Sequence, residues 1–341
     1  MTIRVAAASA LAGAAILLAG CGGATQTPHA AGEDETVVAQ PVAPADLPEL
    51  PASASEQPEG SFPDPDSDPE VADRSDTRTV AERTPESRRR STAILSAADR
   101  ASFEQLAARL GGESGLAVSG LGLGQRVERV GSLRSAAAWS TAKVPVAMAV
   151  INAGGQTAAQ GDLTAAITAS DNAAAERLWA SLGSPKAAAN AATEQLRAAG
   201  DRRTIIESRR LRSGFTAFGQ TAWALTDQTR FTAGLACSAA GSQVLELMGE
   251  VSSGQRWGLG DAGVPAQLKG GWGPGSQPGA SGGYLDRQMG VLTIDGTPLA
   301  VTIATRPADG SHETGTRNLS AIARWFASHA SSRERPQSPV C

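Results

Sequence analysis

Ser140 and Lys143 stand three residues apart in Ala138-Trp139-Ser140-Thr141-Ala142-Lys143-Val144-Pro145. On a helix, positions i and i+3 share a face, which puts the lysine amine beside the serine hydroxyl. A serine is a poor nucleophile until a neighbouring base takes its proton. Lysine can be that base when burial and nearby positive charge lower its pKa. A helix N-terminus under Ser140 would also aim backbone N–H groups at a reacting carbonyl. Ser170-Asp171-Asn172 brings a second hydroxyl, able to pass a proton to a leaving nitrogen, and an amide able to hold both Lys143 and a substrate amide. Lys269-Gly270-Gly271 adds a cation opposite the serine, and glycine lets the backbone approach a ligand closely. Taken singly, each motif also has a plainer meaning. Ser140 and Ser170-Asp171-Asn172 fit helix N-caps, and Lys143 and Lys269 fit surface or turn lysines.

Local patterns say which elements must carry these residues. Residues 97–110 have helical spacing, with Phe103, Leu106, Ala107 and Leu110 on one face. Gly111-Gly112 ends that helix. Residues 115–123 and 125–130 read as two short strands around a glycine turn. Helices are expected at 140–153, 162–169, 172–182, 185–199 and 226–240. Pro145 is tolerable in the first of these because it falls near the helix start. Residues 264–270, 284–294 and 298–305 alternate like strands, and 311–330 closes the chain as a helix. Strands at both ends with helices between them imply an α+β fold, one antiparallel sheet packed with helices.

Composition removes several chemistries. The chain holds three lysines (Lys143, Lys186, Lys269), three histidines (His29, His312, His329) and three cysteines (Cys21, Cys237, Cys341). No two histidines lie closer than 17 positions, and there is no HExxH or CxxC, so no metal centre is expected. No cofactor motif is apparent either. A net charge of −4 with 4% aromatics gives neither the basic footprint nor the stacking surface of a nucleic-acid binder.

The first 20 residues look like an export signal: Arg4, then an apolar small-residue run at 5–19 that is too short for a good membrane span. Leu18-Ala19-Gly20-Cys21 resembles the bacterial lipobox, which implies cleavage before Cys21, lipidation of that cysteine and attachment to the outer side of the cell membrane. Residues 21–90 then form an acidic, Pro-rich tether. It holds ten of the 19 prolines, with 15 acidic and 6 basic residues, too polar to bury a core and expected to stay disordered. The remainder, 91–341, is one domain. Its two cysteines, Cys237 and Cys341, suggest a disulfide in an oxidising compartment.

In chain order the three motifs read SxxK, SDN and K-x-G. That set resembles the serine penicillin-recognising superfamily, the class A β-lactamases and DD-peptidases, over residues 102–329. The resemblance implies a buried helix carrying SxxK, a lysine strand in the sheet and a C-terminal helix on the sheet. By it Ser140 is the acylated nucleophile, Lys143 its activator and Ser170 a proton relay. Asn172 orients Lys143 and substrate, and Lys269 binds an anionic group. The backbone N–H groups of Ser140 and Trp272 form the oxyanion hole, Gly271 gives close approach, and Arg287 grips a substrate carboxylate. The implied ligand is a peptidoglycan peptide or a β-lactam-like amide, the implied assembly a monomer.

Three departures qualify this. Only 30 residues separate Ser140 from Ser170, so the helical subdomain is trimmed. Gly270 stands where the family has a hydroxyl that contacts the substrate carboxylate. The best-placed deacylation base is Glu207, but Leu211 stands where asparagine is expected. Two rivals follow. One is a catalytically weak or inactive cell-wall-binding lipoprotein on the same fold. The other is a GxSxG triad, Gly279-Ala280-Ser281-Gly282-Gly283 with Asp286, Asp295 or Asp309 and His312 or His329, although no apolar strand precedes it and no helix follows.

Overall fold

A computed structural model describes residues 93–275, 283–330 and 339–341. The leader at 1–20, Cys21, the tether at 21–90 and the segment 276–282 lie outside the described residues.

Helix α1 (Ala97–Leu110) begins in a capping box. Asp99 N–H donates to Ser96 Oγ (3.1 Å) and Ser96 N–H donates to Asp99 Oδ2 (2.7 Å), satisfying donors the first turn leaves open. Strands β1 (Glu113–Gly120), β2 (Glu128–Gly131) and β3 (Ser135–Ala137) follow. Next come helices α2 (Lys143–Asn152), α3 (Gln160–Thr168), α4 (Asn172–Ser181) and α5 (Pro185–Ala198). Strand β4 (Ala222–Ala224) leads into α6 (Leu225–Gly234) and α7 (Ala239–Gly249). The chain closes with β5 (Ala266–Pro274), β6 (Tyr284–Ile294), β7 (Thr297–Arg306) and α8 (His312–His329). Five strands form one antiparallel sheet in the order β2-β1-β7-β6-β5, and β3 pairs with β4 apart from it. This is the expected α+β architecture.

The sheet is covered on both faces, as its alternating side chains require. Leu299, Val301 and Ile303 of β7 join Leu116, Val118, Leu319, Ile322 and Phe326 under α1 and α8. On the other face Thr302 Oγ1 meets Thr229 Oγ1 of α6 at 3.0 Å. Asp295-Gly296 turns β6 into β7 with φ of 48° and 77°, the left-handed pair that suits the twist of a tight hairpin. Helix α2 is buried from Lys143 through Val150. A helix apolar on every side belongs in a core, and this one carries a lysine into it.

The elements depart from the sequence pattern in three places. The helix expected at 226–240 is broken: Ser238 takes an extended backbone and caps α7, accepting from Gly241 N–H at 3.1 Å. A serine in a helical run prefers a cap to the interior. Strand β5 runs four residues past Gly270, because its glycines, poor strand formers in general, are where another backbone presses close. The β3–β4 ladder has three residue pairs, too short for alternation to reveal.

Candidate active site

Ser140 lies on a 3₁₀ turn, Trp139–Ala142, that leads directly into α2. Its side chain is half-buried, while Lys143, one turn on, is buried. Trp139 adopts the left-handed region at φ 47°. The turn is braced from behind: Thr141 Oγ1 donates to Ala138 O at 2.5 Å and accepts from Gln228 Nε2 at 2.9 Å.

Two lysines converge on one hydroxyl. Lys143 Nζ donates to Asn172 Oδ1 (2.8 Å), to Ser170 Oγ (3.2 Å) and to the Ser170 carbonyl. Lys269 Nζ, from β5, donates to the same Ser170 Oγ at 2.8 Å and to Gly270 O at 3.1 Å. Burial drives the Lys143 pKa down to about 8, against the opposing pull of Asp171. Lys269 is fully buried, and burial, with Lys143 beside it, holds its pKa well below the ordinary lysine value. Ser170 is itself left-handed at φ 58°. The cap of α4 is Asp171, whose Oδ1 accepts from Ala174 N–H at 2.7 Å, so the capping and the converging geometry coexist in adjacent residues. Ser140 Oγ makes no hydrogen bond among the described residues, neither to Lys143 nor to Ser170.

The glycines of β5 have a steric cause. A Cβ on Gly271 would fall 2.9 Å from Ser140 N and 2.8 Å from Ala138 O, and one on Gly273 would fall 2.7 Å from the Trp139 ring. Strand and nucleophile turn therefore touch backbone to backbone, with Trp272 between those glycines. Together they line a cleft of about 420 Å³ that holds Ser140, Ser170, Asn172, Trp272 and Tyr284.

Two of the residues expected in the cleft lie elsewhere. Arg287 is fully buried and does not line the cleft. It donates to Ala136 O (2.8 Å), Ala137 O (3.0 Å) and Trp223 O (3.3 Å), and to Gln228 Oε1. Burial lowers its pKa to about 9. It is a strut behind the Ser140 turn, because its strand position opposite Gly271 turns the side chain inward. Glu207 is folded onto Arg209, accepting at Oε1 from Nε (3.0 Å) and from the backbone N–H (2.8 Å). That pairing holds its carboxyl below the usual range, the reverse of what a general base working near neutral pH needs. A side chain at Gly270 would press on Trp257, whose ring a Cβ would meet at 3.1 Å and which would have to shift to admit it.

Other residues at the site were not singled out from sequence. Glu176 and Arg210 line the cleft and pair at 3.1 Å. Glu176 is four residues after Asn172 on α4, so the i, i+4 rule was its available signal. Of the GxSxG set, Asp286 Oδ1 and His312 Nδ1 meet at 2.5 Å, and His312 stacks on Trp272. The strand β6 begins directly after Gly283, leaving no helix for a nucleophile elbow, and 279–282 lie outside the described residues. Cys237 and Cys341 are bonded, closing a sequence separation of 104 residues. By loop entropy this is worth up to about 4.7 kcal/mol.

No protein-family model matches the sequence, and no curated protein matches it. Solved structures do. A β-lactamase from Chitinophaga pinensis DSM 2588 aligns with TM-score 0.53 at 16% identity, over 68% of this chain and 98% of that one. The class A β-lactamase from Mycobacterium abscessus gives 0.51 at 14%, over 67% and 97%. The class A β-lactamase of the last common ancestor of Gram-negative bacteria (GNCA4) gives 0.51 at 20%, over 68% and 99%. These likenesses show the fold: the described domain is folded like the class A β-lactamases.

Proposed function

We propose that this protein is an exported, lipid-anchored serine hydrolase that forms an acyl-enzyme on Ser140 with a cell-wall peptide or a β-lactam-like amide. The observation that carries this reading is the convergence of two buried amines on Ser170 Oγ beside Ser140, each with a lowered pKa. Neutral Lys143 takes the Ser140 proton as Oγ attacks the carbonyl carbon. The N–H groups of Ser140 and Trp272 receive the developing oxyanion. As the C–N bond breaks, the proton passes through Ser170 to the leaving nitrogen, and Lys269 keeps that hydroxyl oriented. Water then releases the acid. With Glu207 tied to Arg209, that last step lacks a strong base, so acylation outruns deacylation.

The second reading is a weak or inactive cell-wall-binding lipoprotein. It is favoured by the missing hydrogen bond at Ser140 Oγ and by Trp257 over Gly270. One experiment separates the two. The full chain is incubated with a labelled penicillin and, separately, with a fluorophosphonate, and its intact mass is followed, with Ser140→Ala as reference. A single adduct lost in Ser140→Ala is expected. A folded protein that takes neither label would leave only the binding reading.

A further inference from the structure

A second hollow, of about 400 Å³, shares no lining residue with the cleft. It is built where the turn after β1 (Gly122 to Gln125) meets the end of α5, the segment that follows and α6. Four arginines line it: Arg197, Arg202, Arg203 and Arg230.

Two of those guanidiniums are held by one buried carboxylate, and a third is held by a backbone carbonyl beside a second. Asp227, 4% exposed, accepts from Arg203 Nε (3.1 Å) and Nη2 (3.0 Å) and from Arg230 Nη1 (2.6 Å). Asp201, fully buried, lies 3.9 Å from Arg197, whose Nη1 donates to its carbonyl at 2.7 Å. Asp201 Oδ2 is committed to Trp223 Nε1 at 2.9 Å, and Oδ1 to the backbone N–H groups of Arg203 and Thr204. Arg202 has no hydrogen bond or ion pair among the described residues. Each guanidinium carries five donors, so most of those donors stay free around the hollow, and two positive charges remain unbalanced. The aspartates fix the forks in place, which lowers the ordering cost of binding.

We propose that this hollow is an anion site for a phosphate-bearing ligand. A tetrahedral phosphate offers several oxygens at once, which matches guanidinium forks from different elements better than one planar carboxylate does. The ligand is a phosphate monoester or pyrophosphate free in solution, or the phosphodiester of a lipid headgroup.

The test titrates the full chain calorimetrically with inorganic phosphate, pyrophosphate and glycerophosphoglycerol. The variant is Arg197→Gln/Arg202→Gln, which leaves both Asp227 pairs intact, with a thermal melt to show that it is folded. Arg109→Gln/Arg324→Gln makes the same charge change on α1 and α8. Saturable binding of at least one probe is expected, weakened about tenfold for each guanidinium removed, so about 100-fold in the double variant, and within about twofold of the parent in the control pair. Preference for pyrophosphate indicates a free ligand, preference for glycerophosphoglycerol a headgroup, and either supports the site. No saturable binding up to about 10 mM, or equal weakening by the control pair, would overturn it.

Discussion

Lys143 and Lys269 on one side of the nucleophile turn, and Arg287 on the other, are all buried cations without a carboxylate bonded to them. They differ in what they face. The lysines face a hydroxyl and an amide oxygen at the edge of the cleft. The arginine faces three backbone carbonyls and a glutamine in the core. An amine can surrender its proton once burial has lowered its pKa, and a guanidinium in a protein does not. So the same physical situation, a desolvated cation, suits proton transfer on one side and scaffolding on the other. In a chain with only three lysines, two occupy the side where the proposed reaction needs a removable proton.

The contrast breaks most visibly at Lys143→Arg. We expect acylation by a labelled penicillin to fall by roughly 10⁴-fold or more, with the melt close to that of the parent. Lys186→Arg, at an exposed position of α5, should change neither quantity. Arg287→Met should do the opposite. Three carbonyls and Gln228 lose their donor in the core, costing about 3 kcal/mol or more in urea unfolding, while any protein that remains folded still acylates. If Arg287→Met lost acylation at unchanged stability, the division of labour drawn here would be wrong. The two sides also differ in pH response. Acylation requires neutral Lys143, whose pKa is about 8. Its rate should therefore rise about tenfold per pH unit below that value and level off above it. A rate flat between pH 6 and about 8 would exclude Lys143 as the base. The smallest effect belongs to Glu207→Gln. It breaks an exposed pair worth about 0–1 kcal/mol and should leave the decay of the acyl-enzyme within about twofold.

The sequence made the residues that converge at the cleft legible because SxxK, SDN and K-x-G are short-range patterns whose spacing survives any change around them. The helices and long strands were legible for the same reason, since each carries its own period. What could not be read was contact between elements far apart in sequence. Arg287 read as a grip for a substrate carboxylate, whereas its partners Ala136, Ala137 and Trp223 come from two other strands. Glu207 is the exception, since its partner Arg209 is two residues away and the pairing was open to a local reading. Gly270 read as a missing hydroxyl, and the ring that crowds it, Trp257, lies thirteen residues upstream. Ser238 was absorbed into a helix because its cap role depends on the chain turning there.

Trp139 and Ser170 flank the cleft in backbone conformations that L-residues adopt at a cost of about 1–3 kcal/mol each. Glycine would relieve that strain at Ser170, whereas at Trp139 it would also empty the space of a buried indole packed on Phe215, at a cost of about 3–5 kcal/mol. A library of variants selected for heat resistance alone should therefore keep Trp139 and accumulate Ser170→Gly, which deletes the hydroxyl on which both lysines converge. Thermal selection and the proposed activity would pull this chain in opposite directions at Ser170, and improvement by one measure should be checked by the other at every round.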